Sequence, residues 1–376
     1  MDYNIWTDYP KVPITDLLEF IVDNRGKTVP TAPYGHKLIA TNCVTNNTLF
    51  PVYEKVRYLS DETYHTWFRA HPIPGDILFV NKGTPGRVCM VPDPIDFCIA
   101  QDMIALRADD SKIYNKYLFA VLRSREIQQQ IYNTNVGDVI PHFKKQFMNQ
   151  LLIPVPERKI QEAIGDFYYE LSYKAELNKR INDNLERQAQ AIYASVFISN
   201  ADPDWQQGHL SDLIIVKYGK DHKRLADGCY PVYGSGGIMR YVERPLYDKE
   251  SVLIPRKGTL NNVMYVNHPF WSVDTMFYTE MLLPNVAKFV FHFIKSKDLV
   301  SLNAGSAVPS MTTDILNALE LAIPSEERLA EFEDLVAPMY QAMQINNREA
   351  SKLAELRDLL LPRLMSGEID VSEIQL

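Results

Sequence analysis

Asp76-Ile77-Leu78-Phe79-Val80-Asn81-Lys82-Gly83-Thr84 is written a second time, in altered spelling, as Ser251-Val252-Leu253-Ile254-Pro255-Arg256-Lys257-Gly258-Thr259, at an offset of 257 − 82 = 175 residues. Each copy reads as a short apolar strand running into a Lys-Gly-Thr turn. Asp102-Met103 matches Asp274-Thr275-Met276 at 274 − 102 = 172, and Val139-Ile140-Pro141-His142-Phe143 matches Ala307-Val308-Pro309-Ser310-Met311 at 309 − 141 = 168. That last offset holds through Leu151–Pro156 and Leu319–Pro324, through Leu177-Asn178 and Ile345-Asn346, and through Leu185 and Leu353. Loops that vary on a constant scaffold shift an offset stepwise. A chance match does not keep one offset across so many apolar positions, so the chain carries an internal repeat.

Each copy predicts a globular part followed by a long helix. The globular parts, 1–156 and 201–324, are rich in Pro, Gly, Tyr and short β-branched runs, with strands expected at Asp76–Asn81, Arg87–Val91, Ser251–Pro255 and Asn262–Val266. Short helices are expected at the corresponding segments Tyr114–Arg125 and Val286–Lys297. Pro156 and Pro324 end these parts. Helices then follow over 157–200 and 325–365, leaving a tail at 366–376. The first has apolar residues at Ile160, Ile164, Phe167, Leu171, Leu177, Ile181, Leu185, Ile192 and Val196. The second runs through Leu329, Phe332, Leu335, Met339, Met343, Leu353, Leu356 and Leu360, with Ser325-Glu326-Glu327 as its cap, an expected interruption and kink at Pro338, and Gly367 at its far end. Helices of about 40 residues are about 60 Å long. Neither buries its stripe on its own domain alone, which favours an antiparallel coiled coil over two ordinary core helices. The fold class expected is α+β, with two pseudo-symmetric globular domains joined by that helix pair and lying at its opposite ends.

Composition bounds the function. The 376 residues are 46% hydrophobic and 23% charged, the balance of a globular protein. No apolar run approaches the ~20 residues of a membrane span. The start, MDYNIWTDYPKVP, lacks the basic and apolar order of a secretion signal. Cys43, Cys89, Cys98 and Cys229 are too scattered for a metal knuckle and too few for a disulfide scaffold. A reducing, cytoplasmic setting without membrane contact is expected. Phosphate-loop, dinucleotide and nucleophile-elbow motifs are absent, as is the Asn/Asp-Pro-Pro-Tyr/Phe tetrapeptide of amino-methyltransferases. His65 and His71, six apart, do not make a helical metal pair, and Asp93, Asp96 and Asp102 read as a solvated turn. No catalytic residue, metal site or intrinsic enzymatic activity is expected.

The net charge of −8, from 39 basic and 47 acidic residues, argues against DNA binding only on average. The acids gather in the helices and tail, the cations and aromatics in the globular parts. Candidate DNA contacts are Lys82, Thr84, Arg87, His142, Lys144 and Lys145 in the first copy. In the second they are Lys220, Lys223, Arg224, Tyr233, Ser235, Arg256, Lys257, Thr259, Asn261 and Asn262. The Lys-Gly-Thr turns set a cation, a pliant backbone and a hydroxyl at a strand end, which suits a phosphate oxygen or a base edge. Asn261 and Asn262 are suited to an adenine edge and equally to turn formation. Solvated surface is the ordinary alternative for every one of these cations.

Four parts together resemble the specificity subunit of a type I restriction–modification system: Gly75–Val80 leading to Lys82–Arg87; Pro231–Gly237 through Ile254–Thr259; Leu152–Glu157; and Glu176–Glu186 closing at Gln188–Tyr193. The first copy departs where Arg158-Lys159 replace a more usual acidic pair. The resemblance implies two target-recognition domains, each reading half of a split site in double-stranded DNA through the major groove. It implies a helical spacer that docks two methyltransferase subunits, with restriction/translocase subunits joining later. S-adenosylmethionine would belong to the methyltransferase subunits and not to this chain. The alternative is a two-headed coiled-coil scaffold or adaptor that binds proteins without reading DNA.

Overall fold

The computed structural model describes residues 9–24, 26, 28–134, 141–302 and 310–369. The repeat segments at 139–140 and 307–309 and the tail from 370 lie outside them. The chain divides into two compact units, Met1–Ile181 with Gln344–Leu376, and Asn182–Met343. Both long helices pass through this division.

In the first unit, Leu18–Val22, Met103–Ala108, Ile77–Val80 and Val88–Met90 form an antiparallel sheet in that spatial order. A second sheet orders Arg57–Leu59, His36–Ile39 and Phe97–Ile99, its last pair parallel. Lys11–Pro13 pairs with Leu152–Pro154, which fastens the start of the head to the segment entering the long helix. The second unit repeats this plan. Its four-stranded sheet is Ile214–Tyr218, Met276–Met281, Ser251–Pro255 and Met264–Val266. Its three-stranded sheet is Gly237–Val242, Asp227–Gly234 and Trp271–Ser272, the last pair again parallel, and Gln207–His209 pairs with Glu320–Ala322.

The unbroken apolar spelling of 77–80 and 252–255 is explained by burial of every residue in the strands Ile77–Val80 and Ser251–Pro255. Each is covered on one face by a short helix, Asn115–Arg123 or Ala287–Lys295, within one apolar cluster per head. Backbone hydrogen bonds refine the repeat. Asn81 and Lys82 donate to the Asp102 carbonyl, whereas Arg256 and Lys257 donate to that of Thr275. The partner of Asp102 is therefore Thr275, at 275 − 102 = 173, and not Asp274.

The long helices are Arg158–Ala194, continued by a π-helical turn at Ser195–Ser199, and Glu326–Met365. Ser325 caps the second, its Oγ accepting from the Arg328 N–H at 3.2 Å. Gly367, at φ +73°, ends it by donating to the Leu364 carbonyl. Pro338 does not interrupt it.

The helices pair antiparallel. In the first unit the Arg357 guanidinium lies 5.2 Å from the Tyr168 ring centroid, Lys174 pairs with Glu349 at 2.6 Å, and Asn178 Nδ2 reaches Glu349 at 2.8 Å and the Asn346 carbonyl at 3.4 Å. In the second, Asn182 Nδ2 donates to the Met343 carbonyl at 3.2 Å. Numbers rise along one helix as they fall along the other. The stripe read as apolar is not the buried one throughout. Leu177 and Ile181 are 38% and 47% exposed, while Ser172, Asn178 and Arg357 are buried. A 3.6-residue period marks where apolar residues align, but hydrogen-bonding side chains hold this stretch of the seam, and they set register better than interchangeable leucines do.

Candidate nucleic-acid interface

The two Lys-Gly-Thr turns are built alike. Gly83 sits at φ +87° and Gly258 at φ +86°, the left-handed region where a side chain is strained. In the first head, the Gly83 N–H donates to the Pro141 carbonyl at 3.0 Å, the Phe143 N–H donates to the Asn81 carbonyl at 2.8 Å, and Lys82 forms an antiparallel bridge with His142. In the second, the Met311 N–H donates to the Arg256 carbonyl at 2.9 Å, and Lys257 bridges Ser310. The backbone of each turn is held by buried neighbours while the Lys82 and Lys257 side chains stand in solvent.

In the first head the structure gathers Lys82 and His142 around a cleft of about 410 Å³, also lined by Asp23, Asn81, Gln101 and Asp102. Lys145 is already paired, its Nζ 3.3 Å from Asp23. Thr84 is half-buried, and Lys144 and Arg87 are exposed. In the second head the turn abuts the Gly-rich hairpin: a Cβ on Gly258 would lie 2.7 Å from Ser235 Oγ. Asn262 donates to the Ser235 carbonyl at 2.8 Å, and Asn261 to Asp298 at 3.3 Å, so both amides hold the local fold. The Arg256 guanidinium lies 5.4 Å from the Tyr218 ring centroid and donates to the Asp274 carbonyl. Lys220 is exposed while its backbone is fixed by Ser272 and by the Trp271 indole. Lys223 and Arg224 are exposed on the following loop, and Thr259 is exposed on the turn.

Tyr233 points inward. It packs in the core with its hydroxyl 3.1 Å from His268 Nε2, and burial pushes that hydroxyl up to about 12. Among the described residues Lys82, Arg87, Lys144, Lys220, Lys223, Arg224, Arg256 and Lys257 have no carboxylate within ion-pair distance, so their charge is open to an anionic partner. Reading the sequence missed the exposed apolar strand beside the Gly-rich turn, Ile238, Met239 and Tyr241. Its signal was there: a Gly-rich tip between two apolar runs marks a hairpin.

Among the described residues no three His, Cys, Asp and Glu side chains come together to hold a metal ion. Burial pushes the Cys89 and Cys98 thiols up to about 12, far from thiolate reactivity. No described helix is long and apolar enough to cross a membrane.

Comparison with known proteins agrees with this duplicated plan. The family model for the type I restriction modification DNA specificity domain matches twice, at residues 8–187 and 203–346. The type I restriction enzyme MjaIX specificity subunit of Methanocaldococcus jannaschii is 20% identical over 344 residues, covering 80% of this chain and 79% of that protein. The EcoprrI specificity subunit of Escherichia coli is 30% identical over 100 residues, 26% of this chain and 25% of that protein. The crystal structure of the type I restriction–modification S subunit from M. genitalium superposes with a TM-score of 0.57 at 18% identity, covering 96% of each chain, and so shares the fold. With two copies of its defining domain spanning most of the sequence, the chain belongs to the type I restriction–modification DNA specificity family.

Proposed function

We propose that this chain is the sequence-reading subunit of a type I restriction–modification complex, with each head reading one half of a bipartite site in double-stranded DNA. The observation that carries the reading is the duplicated turn. Each copy ends a buried strand on a Gly at positive φ and projects a lysine that has no carboxylate partner among the described residues. Phosphate contacts from such cations set register on the duplex, and side chains beside them are then placed to read base edges. On this reading methylation and cleavage are carried out by partner subunits. Two methyltransferase subunits dock on the long helices and carry S-adenosylmethionine, and restriction/translocase subunits join that assembly, which works in the cytoplasm.

Exchanging residues 201–324 for the matching domain of a homologous subunit, followed by genome-wide mapping of methylated sites, tests the reading. One half-site should change and the other should persist. A change in both would refute independent reading. The adaptor alternative draws on the inward-facing Tyr233 and the internally bonded Asn261 and Asn262. Failure of the methyltransferase-loaded chain to show salt-dependent binding to duplex DNA would favour it, because phosphate contacts release counterions and weaken as salt rises.

A further inference from the structure

The second head presents a two-stranded ribbon, the outer pair of its three-stranded sheet, with large apolar side chains left exposed along its edge. Asp227–Gly234 and Gly237–Val242 pair antiparallel, closing at Gly234 opposite Gly237, and Gly237–Val242 is the edge of its sheet. Along that edge Ile238 is 50% exposed, Met239 61% and Tyr241 51%. Edge strands are commonly blunted by charge or proline, and three large apolar side chains along one edge are the opposite of such protection. Met239 lies across the tip, where a Cβ on Gly234 would come within 2.5 Å of its sulfur. Glycine there lets the side chain lie flat and keeps the tip narrow.

The ribbon stands against the candidate phosphate-binding turn. Asn262 donates to the Ser235 carbonyl of the ribbon tip, and Gly258 packs on the Ser235 hydroxyl. The exposed apolar strand and the unpaired Lys257 therefore belong to adjoining segments. The first head lacks this feature. Its corresponding strands, His36–Ile39 and Arg57–Leu59, are joined through residues 40–56 instead of a two-residue tip. With the adjoining turn at 257–259 read as a phosphate contact, the occupant of the apolar edge beside it is duplex DNA. The major groove admits a two-stranded ribbon, and thymine alone offers a methyl group there.

Resting on the function proposed above, we infer that the ribbon at 227–242 enters the major groove of the second half-site, with Ile238 and Met239 reading thymine methyl groups while the turn at 257–259 holds the adjoining phosphates. These two residues act as specificity determinants for one half-site only.

The test uses the full chain assembled with its methyltransferase subunits. Methylation mapping of the domain-exchange variant assigns the half-site belonging to the second head. Duplexes in which single thymines of that half-site are replaced by uracil, which lacks the methyl group, should bind the intact complex about threefold to tenfold more weakly at one or two positions. The I238A/M239A double variant should be indifferent to the same replacements and should accept C·G at those positions, while reading the first half-site as before. That retained half-site also shows that the variant is folded. The proposal is overturned if uracil costs the intact complex nothing at any position, or if the double variant keeps the full uracil penalty. It is equally overturned if the double variant no longer assembles with methyltransferase subunits, which would make the ribbon a protein contact. Salt-insensitive binding of the intact complex, without preference at either half-site, would instead refute the function on which the inference rests.

Discussion

Gly83 and Gly258 hold equivalent places with nearly equal φ, yet their surroundings differ. An added Cβ at Gly83 meets nothing within 4 Å, while one at Gly258 meets Ser235. Gly83→Ala adds only backbone strain, about 1 kcal/mol, whereas Gly258→Ala adds that strain and also forces the Ser235 hydroxyl at the ribbon tip to turn aside. Thermal unfolding should show a larger loss for Gly258→Ala, and methylation mapping should show reading weakened in the second half-site alone. Equal losses would mean that the contact with Ser235 is incidental. Both glycines were legible as turn formers from their Lys-Gly-Thr setting. The inward turn of Tyr233 was not, because a tyrosine on a strand faces core or solvent according to what packs against that sheet, and His268, which receives its hydroxyl, is 35 residues away.

The short helix Ala287–Lys295 carries more than its apolar face. Lys288 is buried, 3.1 Å from Glu250 and 2.6 Å from Glu333 of the second long helix, and its first-head equivalent Lys116 pairs with Asp166 of the first long helix at 2.7 Å. His292 is fully buried, with Nδ1 2.7 Å from Gln190 Oε1, Nε2 2.9 Å from the Tyr340 hydroxyl, and the Tyr193 ring stacked alongside. Burial lowers His292 from 6.5 to about 4. The unfolded chain therefore binds a proton that the folded one refuses between about pH 6.5 and 4, and stability must fall as pH drops through that window. The full effect is roughly 3 kcal/mol. His292→Gln, which keeps hydrogen-bonding groups and cannot titrate, should lose less stability on acidification in denaturant titrations from pH 7 to 4.5. Parallel curves for the two proteins would show that His292 is not the responsible group. The helix itself was readable from VAKFVFHFIKSK. Its embedded histidine and lysine were not singled out, since a polar residue on an apolar face declares its role only when its partners are in place.

Each long helix runs through both units, and Asn178 meets the carbonyl of Asn346, its own repeat mate at 346 − 178 = 168. Helix length should therefore bear on the spacing between the half-sites. Inserting four residues at matched positions in both helices, about 6 Å of rise in each, should lengthen the unread spacer by about two base pairs while both half-sites persist. Methylation mapping of that variant decides it, and an unchanged spacer would sink the idea. The amino-acid sequence by itself determined the duplication, the two long helices and the strand-turn units at their matching offsets, because these rest on periodicity and turn chemistry that neighbouring residues set among themselves. Only the tertiary structure decided that Leu177 and Ile181 face solvent while Asn178 and Arg357 are buried, that Thr275 answers Asp102, and that the ribbon tip meets the turn at Gly258. Burial and hydrogen-bond partnership are properties of segments brought together from far along the chain, and local pattern carries no record of which segment arrives.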